Sequence, residues 1–226
     1  GGGVVPDAFM ILSRIIASFH NDKGELLIEG LTPTEQDVFE LSDEFVKSSL
    51  SSNGVELFEM DSYSKRLWLE PALSILAIDA PPVAESVNLL IPKAKAKVSL
   101  RLPPTEDPDH AMNMLEKHIK ENTPFNANVN FIPEAKGKGI LVDPKNEFSS
   151  KLIESFNKNW ENEVAYMGVG GSIPFANVFI NEFPNSEIVL VGAGDEEGNA
   201  HAPNESVNID DIKRLITSLT DALSNY

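Results

Sequence analysis

The chain has 226 residues, about one and a half typical domains, so it holds one large domain or two modest ones, either able to bury a core. Eighteen lysines and arginines stand against 35 acids, a net charge of −17 that argues against a nucleic-acid or anionic-membrane surface because phosphates would be repelled. The absence of cysteine removes thiol catalysis, disulfides and cysteine zinc sites together, leaving histidine and carboxylates to hold any metal. No apolar run approaches the roughly 20 residues that span a bilayer. The start, Gly1-Gly2-Gly3, has neither an initiator methionine nor a basic leader, so the true beginning is expected upstream. A cysteine-free chain is tolerated in any compartment, and the cytoplasm is the default expectation.

In chain order, Pro6-Asp7 introduces Phe9, Leu12, Ile15, Ile16 and Phe19, whose three-to-four spacing predicts one face of a helix, ended by Asn21-Asp22-Lys23-Gly24. Residues 33–70 read as an acidic helical hairpin, with Thr34 before a first turn carrying Glu35 and Asp37 and a stripe of Val38, Leu41, Phe45 and Val46. From Pro71 the period changes. Residues 72–78 read as a strand stopped by Pro81-Pro82. A second strand has Ala94, Ala96, Val98 and Leu100 on one face and Lys93, Lys95, Lys97, Ser99 and Arg101 on the other. Asp107-Pro108 starts a helix through about Lys120, and Val129 to Ile132 reads as a further short strand. These pieces describe a compact two-layer α+β unit with an antiparallel sheet.

Gly137-Lys138-Gly139 and Asp143-Pro144 read as a linker, with a domain boundary near residue 142. Beyond it come a helix bearing Phe148, Leu152, Ile153, Phe156 and Trp160, a Gly-rich turn, a buried-type strand Ile188-Val189-Leu190-Val191 and a polar loop. A final amphipathic helix carries Ile209, Ile212, Leu215, Ile216, Leu219 and Leu223 behind an Asn208 cap. This half reads as part of a larger α/β sheet domain.

The densest polar cluster is residues 192–205, directly after the apolar strand, where α/β folds place ligands. His201 is the one histidine of four in such a setting, and by position alone it fits either a plain loop residue or a metal ligand. A catalytic zinc needs roughly three protein ligands, and the chain has no His-x-Asp or His-Glu-x-x-His pattern to supply them. Asp195-Glu196-Glu197 reads as a solvated acidic turn. Gly192-x-Gly194-x-x-x-Gly198 imitates a dinucleotide fingerprint, but three acids and then Pro203 stand where a helix N-terminus should receive the pyrophosphate. Gly170-Gly171-Ser172-Ile173-Pro174 is equally an ordinary tight turn with a capping serine or a carboxylate-binding helix start, and without a Gly-x-Ser-x-Gly elbow Ser172 is not read as a nucleophile. Arg101 is either a bidentate carboxylate anchor or a solvated strand residue, and Asn88 either a hydrogen-bonding side chain or a turn residue.

Together these stretches resemble the family-twenty metallopeptidases, which include carnosine-type dipeptidases, aminoacylases, glutamate carboxypeptidases and succinyl-diaminopimelate desuccinylases. Gly2-Gly3-Val4-Val5-Pro6 is similar to the segment after that family's lid-domain His-Ser-Gly, and Asn88-Leu-Leu-Ile-Pro92 through Ser99-Leu100-Arg101 to its paired lid strands. Gly170-Gly171-Ser172-Ile173-Pro174 and Asn199-Ala-His201-Ala-Pro-Asn204-Glu205 resemble its two C-terminal catalytic-domain motifs. The resemblance implies a lid or dimerisation domain over residues 1–142, lacking its first strand, and the C-terminal part of an α/β zinc-peptidase catalytic domain over residues 143–226. It implies two zinc ions in the intact enzyme, with His201 as one ligand and Asn204 and Glu205 shaping its loop. Gly170, Gly171 and Ser172 would meet the terminal carboxylate of a small peptide or N-acyl amino acid, Arg101 would assist from the lid, and Asn88 would reach the partner subunit's site in a homodimer. The family's His-x-Asp pair, bridging aspartate, Glu-Glu pair and lid histidine have no counterpart, so the general base is expected upstream of Gly1 and the chain alone is expected to be inactive. Tyr166-Met167-Gly168-Val169 stands where dipeptidase relatives carry Arg-Glu, and no histidine falls at Asn146 to Phe148, departures that bear on substrate class. The alternative reading is a non-catalytic dimerisation or binding module.

Overall fold

The structure is a computed structural model. It describes residues 1–50, 54–141, 144–169, 174–183, 185–195, 198–200 and 202–226. The chain divides into two compact units, one of Gly1–Gly139 with Met167–Ser172 and the other of Ile140–Tyr166 with Ile173–Tyr226.

In the first unit, helix α1 (Ala8–Ala17) starts where the Asp7 carboxylate accepts the Met10 N–H at 2.9 Å. Its inward face carries Ile15, and Phe19 follows just beyond its end. In chain order α2 (Asp43–Leu50) and the short α3 (Tyr63–Trp68) follow α1 and precede the sheet. Strands β1 (Ala72–Asp79) and β2 (Lys95–Arg101) form an antiparallel pair, with Leu73 opposite Leu100 and Ile75 opposite Val98. The register shifts between Ile75 and Ala77, so Leu76 forms a bulge and is 58% exposed. Helix α4 (Pro108–Glu121) is capped by Asp107, whose carboxylate accepts the N–H groups of Asp109 and His110 at 2.9 Å. Ile15, Phe19, Ile28, Leu73, Leu115 and Ile119 form the core, with Ile75, Val98 and Leu100 packed against it. Both helices therefore meet one face of the hairpin, and that face is the one the period-two pattern picks out.

Two expectations for this unit are corrected. Thr34 does not start a helix, for α2 begins at Asp43. The Thr34 side chain is buried and its hydroxyl lies 2.7 Å from that of Thr105, while its N–H donates to the Leu69 carbonyl at 2.8 Å. A local capping pattern thus serves a tie across 71 residues of sequence. Residues 129–132 do not form a strand. Val129 and Phe131 pack against the core as the alternation predicts, yet the chain arrives through Phe125 (φ 59°) and Asn126 (φ 52°) and enters no ladder. An ion pair between Lys97 and Glu134 links the segment to β2 instead.

The second unit contains α5 (Glu147–Asn159), α6 (Pro174–Glu182) and α7 (Ile209–Ser224). Asn208 caps α7 as expected, accepting the Asp210 N–H at 2.9 Å. Helices α5 and α7 approach through small residues, the buried Ser155, Ser218 and Ala222, and the Ser155 hydroxyl donates to the Ser218 carbonyl at 2.8 Å. Residues 188–191 are not a strand, and Leu190 and Val191 are exposed. A parallel strand exists only by bonding to neighbours, and no other strand of this unit occurs among the described residues.

Candidate functional site

Arg101 and Asn88 belong to the first unit. Arg101 closes β2 opposite Ala72 and is partly buried. Of the four arginines, Arg14 lies over the Phe125 ring, Arg66 binds Glu70 and the Gly24 carbonyl, and Arg214 binds Glu161. The Arg101 side chain makes no hydrogen bond or ion pair with another described residue. In so acidic a chain, an uncommitted guanidinium held on a strand is a ready anchor for a carboxylate.

Asn88 is exposed, in the loop between the 3₁₀ turn Val83–Glu85 and β2. Val87 and Leu89 beside it are also exposed, and the Ala8 N–H ties the loop to the α1 start by donating to the Ile91 carbonyl at 2.9 Å. Asn88 lies in the loop before β2, with residues 89–94 between it and the first strand residue, whereas Arg101 is the last residue of the strand.

Gly170, Gly171, Ser172 and His201 lie outside the described residues. Only the residues on either side of them are described. A Cβ on Gly168 would stand 2.4 Å from Trp68 side-chain atoms, so only glycine lets the chain pass α3 there. Around position 201, the Ser206 N–H donates to the Gly198 carbonyl at 2.9 Å and the Ala202 N–H to the Asn199 carbonyl at 2.9 Å. Asn199 and Asn204 take left-handed φ values of 49° and 64°, conformations asparagine tolerates better than most residues.

Glu187 anchors the entry to this region. Its carboxylate accepts the Phe148 N–H at 3.0 Å and the Ser149 N–H and hydroxyl at 2.9 Å, capping α5 although Asn146, at the cap position, makes no side-chain capping bond. Desolvation raises its pKa, but the hydrogen bonds from Phe148 and Ser149 together outweigh it and hold the carboxyl below the ordinary glutamate range. A depressed folded-state pKa contributes stability that is present above the unfolded value and is lost as pH falls through the folded one. Thermal melts of the second unit should thus lose stability as pH drops below the ordinary glutamate value, and Glu187→Gln should be less stable at neutral pH with a flatter acid limb. Sequence reading missed Glu187 because its partners are 38 and 39 residues away and no local pattern marks it.

The other histidines are engaged elsewhere. His20 forms an isolated bridge with Leu26, and burial, reinforced by the Arg66 guanidinium, lowers its pKa. His110 Nδ1 pairs with the buried Glu106 at 2.7 Å. His118 is buried, stacked on Phe19, with Nε2 3.1 Å from the Ser18 hydroxyl and carbonyl oxygens. Among the described residues no three histidines or carboxylates converge as a metal would require, so the donors on view do not make up a catalytic zinc centre. No helix among them is long and apolar enough to cross a membrane.

Residues 1–127, more than half of the chain, match the M20 peptidase dimerisation domain. The chain belongs to that family. The whole chain is 28% identical over 235 residues to a cysteinylglycine-S-conjugate dipeptidase of Corynebacterium striatum and covers 50% of it. It is 25% identical over 247 residues to a Cys-Gly metallodipeptidase of Saccharomyces cerevisiae, again covering 50%. Its fold is similar to the solved structure of the dipeptidase Dug1p of Saccharomyces cerevisiae, with a TM-score of 0.75 and 22% identity over 98% of this chain and 49% of that one. The chain thus spans about half the length of the curated relatives it matches, and its homologues are metallodipeptidases of the M20 family. The expected family and the mixed fold with a small antiparallel sheet both hold.

Proposed function

We propose that this chain supplies the dimerising lid and the carboxylate-binding part of a zinc-dependent metallopeptidase that cleaves dipeptides or N-acyl amino acids, and that alone it does not hydrolyse peptides. The observation that carries the reading is the alignment of the entire chain with half of each of two dipeptidases. On this reading residues 1–142 are the lid and residues 143–226 the C-terminal part of the catalytic domain.

The roles are those the family resemblance implies, and the chemistry of the side chains suits them. Arg101, uncommitted to another described residue, pairs bidentately with the substrate's terminal carboxylate. The backbone N–H groups of Gly170 and Gly171 and the Ser172 hydroxyl meet the same carboxylate from the catalytic side. Asn88, on an exposed loop, hydrogen-bonds in the partner subunit's site, which gives dimerisation a catalytic purpose. His201 contributes one imidazole to a zinc centre. When bound, zinc would polarise the scissile carbonyl and lower the pKa of a water. No described cluster completes that centre, so no bond-breaking step is assigned to this chain.

The test is made on the purified 226-residue chain with zinc and Cys-Gly. The expected result is a dimer by light scattering with no metal-dependent turnover. Robust turnover would show that the chain carries its own complete site, and a strict monomer at high concentration would remove the lid assignment.

A further inference from the structure

The second unit has an open groove of about 450 Å³ where the end of α5 meets α7, lined by Phe156, Trp160, Glu161, Glu163, Val164 and Arg214 among others. The volume is within the range of small-ligand sites. Its floor is aromatic: the Phe156 and Trp160 rings are stacked with centroids 5.8 Å apart, and the indole is fixed because Nε1–H donates to the Ser218 hydroxyl at 3.2 Å. Its rim is acidic. The Arg214 guanidinium lies 5.8 Å from the Trp160 ring centroid, with Nη2 2.9 Å from Glu161 Oε1 and Nη1 3.7 Å from Asp211. Glu163 makes no hydrogen bond or ion pair with another described residue. The groove lining thus holds two carboxylates, Glu161 and Glu163, against the one guanidinium of Arg214, which is already paired with Glu161 and with Asp211 behind the groove, leaving the lining net negative.

Arg214 shows which ligand chemistry such a surface accepts: a planar cation that lies on an aromatic face and bonds to a carboxylate in its own plane. We propose that this groove binds a second guanidinium, the arginine side chain of a peptide, with Glu163 as its ionic partner and the Phe156–Trp160 platform beneath its alkyl stem. A peptide is taken as the source because its arginine brings a single positive charge with no α-carboxylate to face the glutamates, whereas free arginine brings an α-carboxylate together with an α-ammonium. The inference is independent of the peptidase reading, since it uses none of the residues assigned to that site.

Titration of the full ¹⁵N-labelled chain tests it through the Trp160 indole N–H resonance, assigned by its loss in Trp160→Phe. N-acetyl-arginine amide should shift the resonance saturably, binding at least about five-fold tighter than the isosteric, uncharged N-acetyl-citrulline amide and tighter than free arginine. Glu163→Gln should weaken the arginine amide about five-fold while the remaining amide resonances stay in place, showing that the fold is intact. No saturable shift, equal binding of the citrulline analogue, or unchanged affinity in Glu163→Gln would each overturn the proposal. Tighter binding of free arginine than of the capped amide would overturn the assignment to a peptide.

Discussion

Replacing Phe19 by alanine should destabilise the first unit by about 3–5 kcal/mol, a large share of the roughly 5–15 kcal/mol by which a domain is stable. Phe19 is 2% exposed and sits where α1, β1 and α4 converge. It also stacks on His118 with ring centroids 5.5 Å apart, so the substitution leaves a cavity on one side of an imidazole whose other contacts are polar. The neighbours cannot collapse into the gap without breaking the bonds that hold His118 to Ser18. The two tryptophans fall one to a unit, Trp68 in the first and Trp160 in the second. Urea unfolding followed in a Trp160→Phe background reports the first unit, and a midpoint within error of the parent chain would show that the core is organised around some other residue.

The second large effect is expected at Ser218. This residue is fully buried between α5 and α7, its carbonyl accepting from Ser155 and its hydroxyl accepting from Trp160. Ser218→Leu adds bulk where the helices approach through small side chains and removes the acceptor for the indole, so a loss of about 2–4 kcal/mol is expected. Ser218→Ala, which removes only the hydroxyl, should cost about 1 kcal/mol. Unfolding followed by Trp160 in a Trp68→Phe background measures both, and a leucine variant no worse than alanine would mean that the helices are free to separate.

The parts of the fold legible in the sequence are those where one local pattern has one physical meaning. The period-two run from Lys95 to Arg101 folds as a strand with its small and apolar residues inward, and Asp107-Pro108 caps a helix in the expected place. Failures occur where a local pattern is used for a distant partner. Thr34 has the look of a helix cap and is instead bonded to Thr105. Ile188 to Val191 has the composition of a buried strand, but composition supplies no neighbouring strand to pair with. The candidate site divides in the same way. Motif resemblance picks out Asn88 and Arg101, but that the Arg101 side chain has no hydrogen-bond or ion-pair partner among the described residues is seen only in the structure. Glu187 has no motif, and its importance comes wholly from the α5 N-terminus it meets.

The bulge at Leu76 carries a consequence for how copies of this protein can associate. Among the described residues each strand of the two-stranded sheet has one edge without a neighbouring strand, the condition under which proteins stack without limit into fibrils. A bulge adds local twist and divides β1 into a stretch before and a stretch after it, so no long flat template is offered along that edge. Lys95 and Lys97 project from β2 with partners of opposite charge and keep its surface strongly hydrated. The sheet edge is thereby a poor template for the unlimited strand-on-strand addition that builds fibrils.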